Sequence, residues 1–533
     1  MTESDVPVTT FHPYRWGDPQ RPAHLPPAAL EALAALGVKT PKNPPVTPER
    51  IEPSPSRLPA EARTELGAVV GEEYVAVDRE TRLAHTRGWS TTDLLKLRSG
   101  DAVDAPDAVV HPADHAEVVA VLAVCDRRRI AVVPYSGGTS VVGGLNPVRD
   151  RFDAVIAVDV SRLNRLEAFD EVSRTARLGA GTRGPRVEKL LRDKGFTLGH
   201  FPQSYEGASI GGYAAARSAG QSSAGYGRFD QMVVGLTVAT PRGDLTIGNA
   251  PLSAAGPDLR QLFLGSEGAY GVITSVTVRV RPTPAVRIFE AWRFPSFAEG
   301  TEAMRALAQD GPLPTVLRLS DEVETQINLS DPTKMLGGGP EGCLAITGYE
   351  GREADVAYRR EAAGHVLAEH GGHPLGAEPG EAWRTGRFRA PYLRDPLLDA
   401  GVLIETLETA TFWSNVPSVR QAVTTALTES LAAQGTQPLV LCHISHVYET
   451  GASLYFTVAC AQTDDPVNQW AQAKKAANDA IRAQGAAASH HHGIGIDHRD
   501  NHAAEIGAVG MVAVVAVKEA LDPTGILNPG ILV

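Results

Sequence analysis

Hydrophobic and polar positions repeat at two periods along this chain, and the changes of period mark out its elements. Up to about residue 60 there is little periodicity. PPVTPERIEPSPSRLP reads as an extended proline-rich arm, preceded by one short helix over PPAALEALAALG that closes on Gly37. From about residue 100, short β-type runs alternate with helical ones. DAVVHP, IAVVPYS, DAVIAVDV, TARLGAG and MVVGLTVATPRGDLTI read as strands, HAEVVAVLAVCDRRR and GPRVEKLLRDKG as helices. In GVITSVTVRVRP, Val272, Thr274, Val276, Val278 and Val280 alternate with Ile273, Ser275, Thr277, Arg279 and Arg281, which predicts a half-buried strand. Further on, helices such as SFAEGTEAMRALAQDG and SVRQAVTTALTESLAAQG alternate with strands such as GCLAITGYEG and SLYFTVACAQ. That pattern implies a sheet with helices packed against it. The last stretch holds a histidine cluster, the Ala/Val-rich helix AVGMVAVVAVKEALDP and the closing ILNPGILV. There is no internal repeat. The expected organisation is an arm and helical segment over 1–100, an α+β module over 101–283, a second α+β domain over 284–490 and a C-terminal segment over 491–533.

Length and charge narrow the classes. At 533 residues the chain exceeds what one core sustains, and 50 Lys+Arg against 62 Asp+Glu give a net charge of −12. An acidic balance argues against a nucleic-acid binder, whose phosphate contacts need a basic face. No run approaches the ~18 apolar residues of a membrane span. The start, MTESDVPVTTFHPYRWGDP, lacks the basic and apolar regions of a secretory signal, so a cytoplasmic place is expected. Cys125, Cys343, Cys442 and Cys460 are scattered through apolar stretches and read as reduced, partly buried thiols.

The 52 glycines matter more for where they fall than for their number. One segment, Pro134, Tyr135, Ser136, Gly137, Gly138, Thr139 and Ser140, continues to Leu145 and directly follows a β run. Its backbone N–H groups suit a phosphate, yet neither a P-loop lysine nor G-x-G-x-x-G spacing is present, so alone it reads equally as a structural turn. A second runs Gln203, Ser204, Tyr205, Glu206, Gly207, Ala208 and Ser209, then through small residues to Ala216, Arg217, Ser218 and Ala219. The third is Gly265, Ser266, Glu267, Gly268, Ala269, Tyr270 and Gly271. Three such loops in one module point to one large pyrophosphate-bearing cofactor.

The densest titratable group is Ser489, His490, His491 and His492, with His498 and His502 following. Metal site, solvated loop and acid/base cluster all stay open from the residues alone. In an extended segment three consecutive histidines point alternately to opposite faces and cannot all reach one ion. Tyr455 in GASLYFTV reads as a core aromatic or an active hydroxyl, with Tyr448 as its near competitor. Arg394 offers an anion fork or a salt bridge to Asp395; Arg318 does the same or pairs with Asp321 or Glu322.

PYSGGTSVVGGL, IGGYAAARSAG…YG and GSEGAYGVIT together resemble the flavin-binding signature of the vanillyl-alcohol oxidase/PCMH superfamily. Within it the chain is most similar to alkyldihydroxyacetonephosphate synthases, through WGDP, LGHFPQS, AAGPDLRQLFLGSEG, TVLRLSDE, APYLRD, LETATFW, YETGASLYF and SHHHGIG. The resemblance implies an α+β fold: a PCMH-type two-subdomain FAD-binding module plus a substrate (cap) domain with an antiparallel sheet and helices. It implies FAD cradled by 134–140, lined by 203–209 and 216–219 and closed off by 265–271. Many relatives attach FAD covalently through a histidine in the first loop; Thr139 and Ser140 stand there here, so dissociable, non-covalent FAD is expected. It also implies that Tyr455 and His490–His492 move a proton, that Arg394 binds a substrate phosphate and that Arg318 acts through its surroundings. The implied activity replaces the acyl group of an acyl-dihydroxyacetone phosphate by a fatty alcohol through a flavin N5 adduct. The alternative is an FAD oxidase or dehydrogenase of a 2-hydroxy acid, alcohol or other small molecule, with a catalytically silent flavoprotein as a third class. No metal is implied. A homodimer, a small phosphorylated or lipid-like substrate and peripheral contact with a membrane surface are expected. Gly207, Ser209 and Tyr213 depart from the family pattern and bear on the substrate more than on the cofactor.

Overall fold

The computed structural model describes residues 12–17, 23–329 and 341–533. The opening stretch 1–11, Asp18 and Pro19 of the WGDP motif, and 330–340 lie outside the described residues. A first sheet has Ala108–Val110, Val155–Asp159 and Ala131–Tyr135 side by side in parallel, with Val75–Ala76 antiparallel at its edge. Val155–Asp159 is buried along its whole length, as a central parallel strand covered on both faces must be. Helix His115–Arg128 begins on an Asp114 cap, whose side chain accepts from the Glu117 N–H, and packs Val118, Val121, Leu122 and Cys125 into that core. The chain closing the molecule returns here: the Val132 N–H donates to Ile526 and the Asn528 N–H to the Val132 carbonyl, so 526–528 line up beside Ala131–Tyr135.

A five-stranded antiparallel sheet follows, in the order Leu166–Asp170, Thr175–Gly179, Val272–Arg279, Val233–Thr240, Gly243–Ile247. The run MVVGLTVATPRGDLTI, expected as strand throughout, is a hairpin turning at Pro241–Arg242. Val272–Arg279 departs from its expected half-burial: 272–276 are buried on both faces, including Thr274 and Ser275. The strand is the middle one of the five. Thr274 bonds His115 across to the helix of the first sheet (2.8 Å), so its polar face is covered rather than wetted.

Seven antiparallel strands form the third sheet, in the order His373–Gly376, Val286–Phe294, Cys343–Gly351, Val316–Ser320, Leu439–Val447, Gly451–Ala461, Val402–Phe412. Helices Phe297–Asp310, Glu353–Glu369, Val416–Ala433 and Pro466–Ala483 contribute to its core. The Ala/Val-rich helix runs over Arg499–Leu521, starting well before the expected stretch, with non-helical backbone at Gly507. All four cysteines are free and buried, as expected.

Candidate active site

The parallel strand Ala131–Tyr135 ends in the first glycine segment, at the carboxyl edge where ligands of parallel sheets sit. The backbone closes tightly there. A side chain on Gly137 would begin 2.3 Å from the Gly207 carbonyl, and Gly138, at φ +69°, would meet the Tyr135 hydroxyl at 2.2 Å. The first and second segments therefore touch through backbone alone. Asn528 ties the first to the third, donating from Nδ2 to the carbonyls of Gly144 (3.0 Å) and Glu267 (2.7 Å).

These loops and the polar face of the seven-stranded sheet enclose one cavity of about 470 Å³. All of 134–140 line it, with Gln203, Ser204, Ala208, Ser209, Ala216, Ser218, Ala219, Glu267, Gly268 and Gly271. Several expected lining residues stand behind the wall instead. Tyr205 is buried against Phe201 and Phe388, and Glu206 accepts from Tyr392 and Trp16. Arg217 turns to the Leu264 carbonyl, and Gly207, Gly265, Ser266, Ala269 and Tyr270 shape the loops from outside. They are displaced because each loop must bury side chains on its far side to hold its near side in place.

Tyr455, His491, His492, Arg394 and Arg318 all reach the cavity; His490 does not. Tyr455 lies in a cross-strand row, paired in register with His443 on one side and Glu408 on the other. Its ring stacks between His443 (centroids 4.9 Å apart, 21° between planes) and His491 (5.9 Å, 22°). The phenol bonds Thr406, and burial pushes it up to about 12. His443 and His491 thus lie face-on to Tyr455, while His492 stands edge-on to it (5.5 Å, 87°).

The histidine segment is not extended. It bends around Glu408, whose carboxylate accepts from the Ser489 hydroxyl (2.6 Å) and from three consecutive backbone N–H groups, His490 (2.6 Å), His491 (3.2 Å) and His492 (2.9 Å). The alternation of faces expected for an extended chain is therefore lost, and a solvated loop is excluded because His490 is buried. Burial pushes the Glu408 carboxyl up, but the imidazoles of His491, His492 and His490 and the Ser489 hydroxyl outweigh it and hold it well below the usual carboxylate range. Burial also pushes all three imidazoles below the ordinary histidine value, His492 to about 3. Glu408, His490 and His491 bring ligand atoms within 4.8 Å of one another. Within this group His490 bonds His491 (Nδ1 to Nδ1, 2.9 Å) and Tyr448 (Nε2 to Oη, 2.5 Å).

Arg318 pairs with neither Asp321 nor Glu322 but with Glu324 (2.7 Å), which also faces His443 Nδ1 at 3.2 Å. Asp395 pairs directly with Arg98 (2.9 Å) and also feels the charge of Arg394, whose Nη1 donates to the Trp89 carbonyl (2.5 Å) and whose buried Nε finds no acceptor among the described residues. Glu408, Glu324, His443, Trp16 and Trp89 escaped the sequence reading. A carboxylate inside an apolar alternation, as in LIETLETATF, was the available signal for Glu408.

The sequence pattern of the FAD binding domain matches residues 106–248, and that of the C-terminal domain of FAD linked oxidases matches 283–532. The structure superposes on p-cresol methylhydroxylase with a TM-score of 0.70 at 17% identity, covering 89% of this chain and 96% of that one, which shows the shared fold. Fold and cavity thus define an FAD-dependent enzyme of the PCMH-type class. The alkyldihydroxyacetonephosphate synthase of Dictyostelium discoideum is 31% identical over 506 residues, 90% of this chain and 82% of that protein. A solved alkyldihydroxyacetonephosphate synthase aligns at a TM-score of 0.83 and 27% identity, over 97% of this chain and 98% of that one. The chain belongs to the alkyldihydroxyacetonephosphate synthase family.

Proposed function

We propose that this enzyme exchanges the acyl group of an acyl-dihydroxyacetone phosphate-type substrate for a fatty alcohol. The observation that carries the reading is the near full-length match to the synthases, and the buried His–Glu cluster at the cavity wall supports it. The residues present fit FAD: a glycine cradle that no side chain could enter, opening onto a cavity edged by backbone and hydroxyl groups. Residues 134–140 would hold the pyrophosphate, Gln203, Ser204, Ala208, Ser209, Ala216, Ser218 and Ala219 the flavin and ribityl chain, and Glu267, Gly268 and Gly271 the remaining wall. Bound FAD supplies an electron-poor ring that draws electron density from the substrate carbon. Neutral His491 and His492 take the substrate proton, and the Tyr455 hydroxyl donates to a substrate oxygen. Arg394 turns its unsatisfied Nε to the phosphate, while Arg318 acts through Glu324 and His443. With Thr139 and Ser140 in the first loop, FAD is held without a covalent bond. A phosphorylated, lipid-like substrate, a homodimer, a cytoplasmic place and contact with a membrane surface belong to the same reading. Among the described residues no helix is long and apolar enough to cross a membrane.

Acid precipitation of the holoenzyme should leave FAD in the supernatant. Anaerobic mixing with acyl-dihydroxyacetone phosphate and hexadecanol should give turnover while the flavin remains oxidised at rest. Full bleaching by a 2-hydroxy acid or alcohol, without ether formation, would replace this reading by a redox one. Arg394→Lys keeps the charge and loses the planar fork, so KM for the phosphorylated substrate should rise about tenfold with kcat within about twofold. An unchanged KM would place the phosphate elsewhere.

A further inference from the structure

We propose that Tyr448 is the outer end of a proton path that leaves the cavity through His491 and His490. The path is drawn from geometry; only the identity of the proton it carries rests on the synthase reading. His491 lines the cavity, and its Nδ1 lies 2.9 Å from His490 Nδ1. The other ring nitrogen of His490, Nε2, lies 2.5 Å from the Tyr448 hydroxyl. Tyr448 does not line the cavity. It is half-buried and begins the turn whose next residues, Glu449 and Thr450, are exposed.

The chain of bonds admits a direction that carries a proton outward. Arg228 can only donate, and it does so to the Tyr448 hydroxyl (3.3 Å) and to the His490 carbonyl (2.9 Å), held in place by Asp230 at 2.9 Å. In the tautomer the path uses, the Tyr448 oxygen accepts from Arg228 and from His490 Nε2–H, and its own proton points elsewhere. His490 Nδ1 is then the acceptor of the His491 Nδ1–H. A proton arriving at His491 Nε2 from the substrate releases the Nδ1 proton to His490 Nδ1. His490 in turn passes its Nε2 proton to the phenol oxygen, and the phenol gives its original proton to water. Each ring gains an N–H bond at one nitrogen and loses one at the other, so one proton crosses and no charge stays in the buried cluster. The path resets when the two imidazoles return to their first tautomers. Burial raises the Tyr448 phenol while Arg228 opposes the rise, which fits a group that passes a proton on rather than keeping a charge. Tyr448 touches no reacting atom; it acts through His490.

The test uses Tyr448→Phe in the full-length, FAD-loaded enzyme. Turnover should fall on the order of 10²-fold, with KM unchanged within about twofold and FAD retained. Added imidazole buffer should restore part of the loss by collecting the proton from His490, a rescue that a merely structural tyrosine would not show. In the resting wild-type holoenzyme, the short His490–Tyr448 bond should give a far-downfield proton resonance that Tyr448→Phe removes. Unchanged turnover, a loss that imidazole leaves untouched, or a downfield resonance that survives in Tyr448→Phe would each overturn the path. Absence of synthase turnover in the wild type would sink the synthase reading alone. The resonance then decides the path, supporting it if lost in the variant and overturning it if the wild type shows none.

Discussion

Glu408→Gln should cost about 3 kcal/mol of stability and lower turnover at least 10²-fold. Four donors converge on this carboxylate from one short stretch, the Ser489 hydroxyl and the N–H groups of His490, His491 and His492. A glutamine is nearly the same shape but presents an NH₂ to one set of those donors. At least one buried N–H then loses its acceptor, and the segment must shift. Because His491 and His492 ride on that segment, a displacement of about 1 Å is enough for the activity loss. The effect depends on pH in a fixed direction. The Glu408 carboxyl is held below its ordinary value of 4.5 in the folded chain, so the stability it contributes is complete above about pH 4.5 and is lost as pH falls through the folded value. Denaturation of wild type and variant at pH 7 and at progressively lower pH should therefore show a gap that narrows on acidification. A gap that is absent at pH 7, or that widens in acid, would remove the carboxylate from this role.

Tyr455→Phe should reduce kcat by ~10²–10³-fold while leaving FAD bound, the loss expected for one donor aimed at a reacting oxygen. With the phenol pushed up to about 12 by burial, Tyr455 keeps its proton near neutrality and serves as a donor, not a base. The ring, stacked between His443 and His491, survives the substitution, so folding and cofactor content should change little. Wild-type kcat in the variant would take the hydroxyl out of the reaction and leave Tyr455 as a spacer between two imidazoles. The two variants separate cleanly: Glu408→Gln lowers stability and activity together, Tyr455→Phe activity alone.

Local pattern was a good guide wherever one element decides its own form. The helix His115–Arg128, the helix Gly184–Arg192 and the strand Cys343–Gly351 lie where their periodicity placed them, because burying one stripe or a short apolar run needs no knowledge of partners. The alternation in 272–281 misled about burial because a middle strand has its exposure set by neighbours that the sequence does not name. Arg318 and Arg394 were legible as cations, but their partners were not: sequence offers adjacent acids first, whereas Glu324, Asp395 and Arg98 sort themselves by strand and helix geometry.

The chain by itself determined three glycine segments, one histidine triplet and a strand tyrosine, and hence the chemistry to look for. Which of these face one another is a matter of register and closure. Tyr455 meets His443 and Glu408 because three strands pair across one face, and His490 leaves the cavity wall because its segment bends around a carboxylate more than eighty residues earlier. A hydrogen bond is set within tenths of an ångström, and only the folded backbone fixes distances that finely between residues so far apart in sequence.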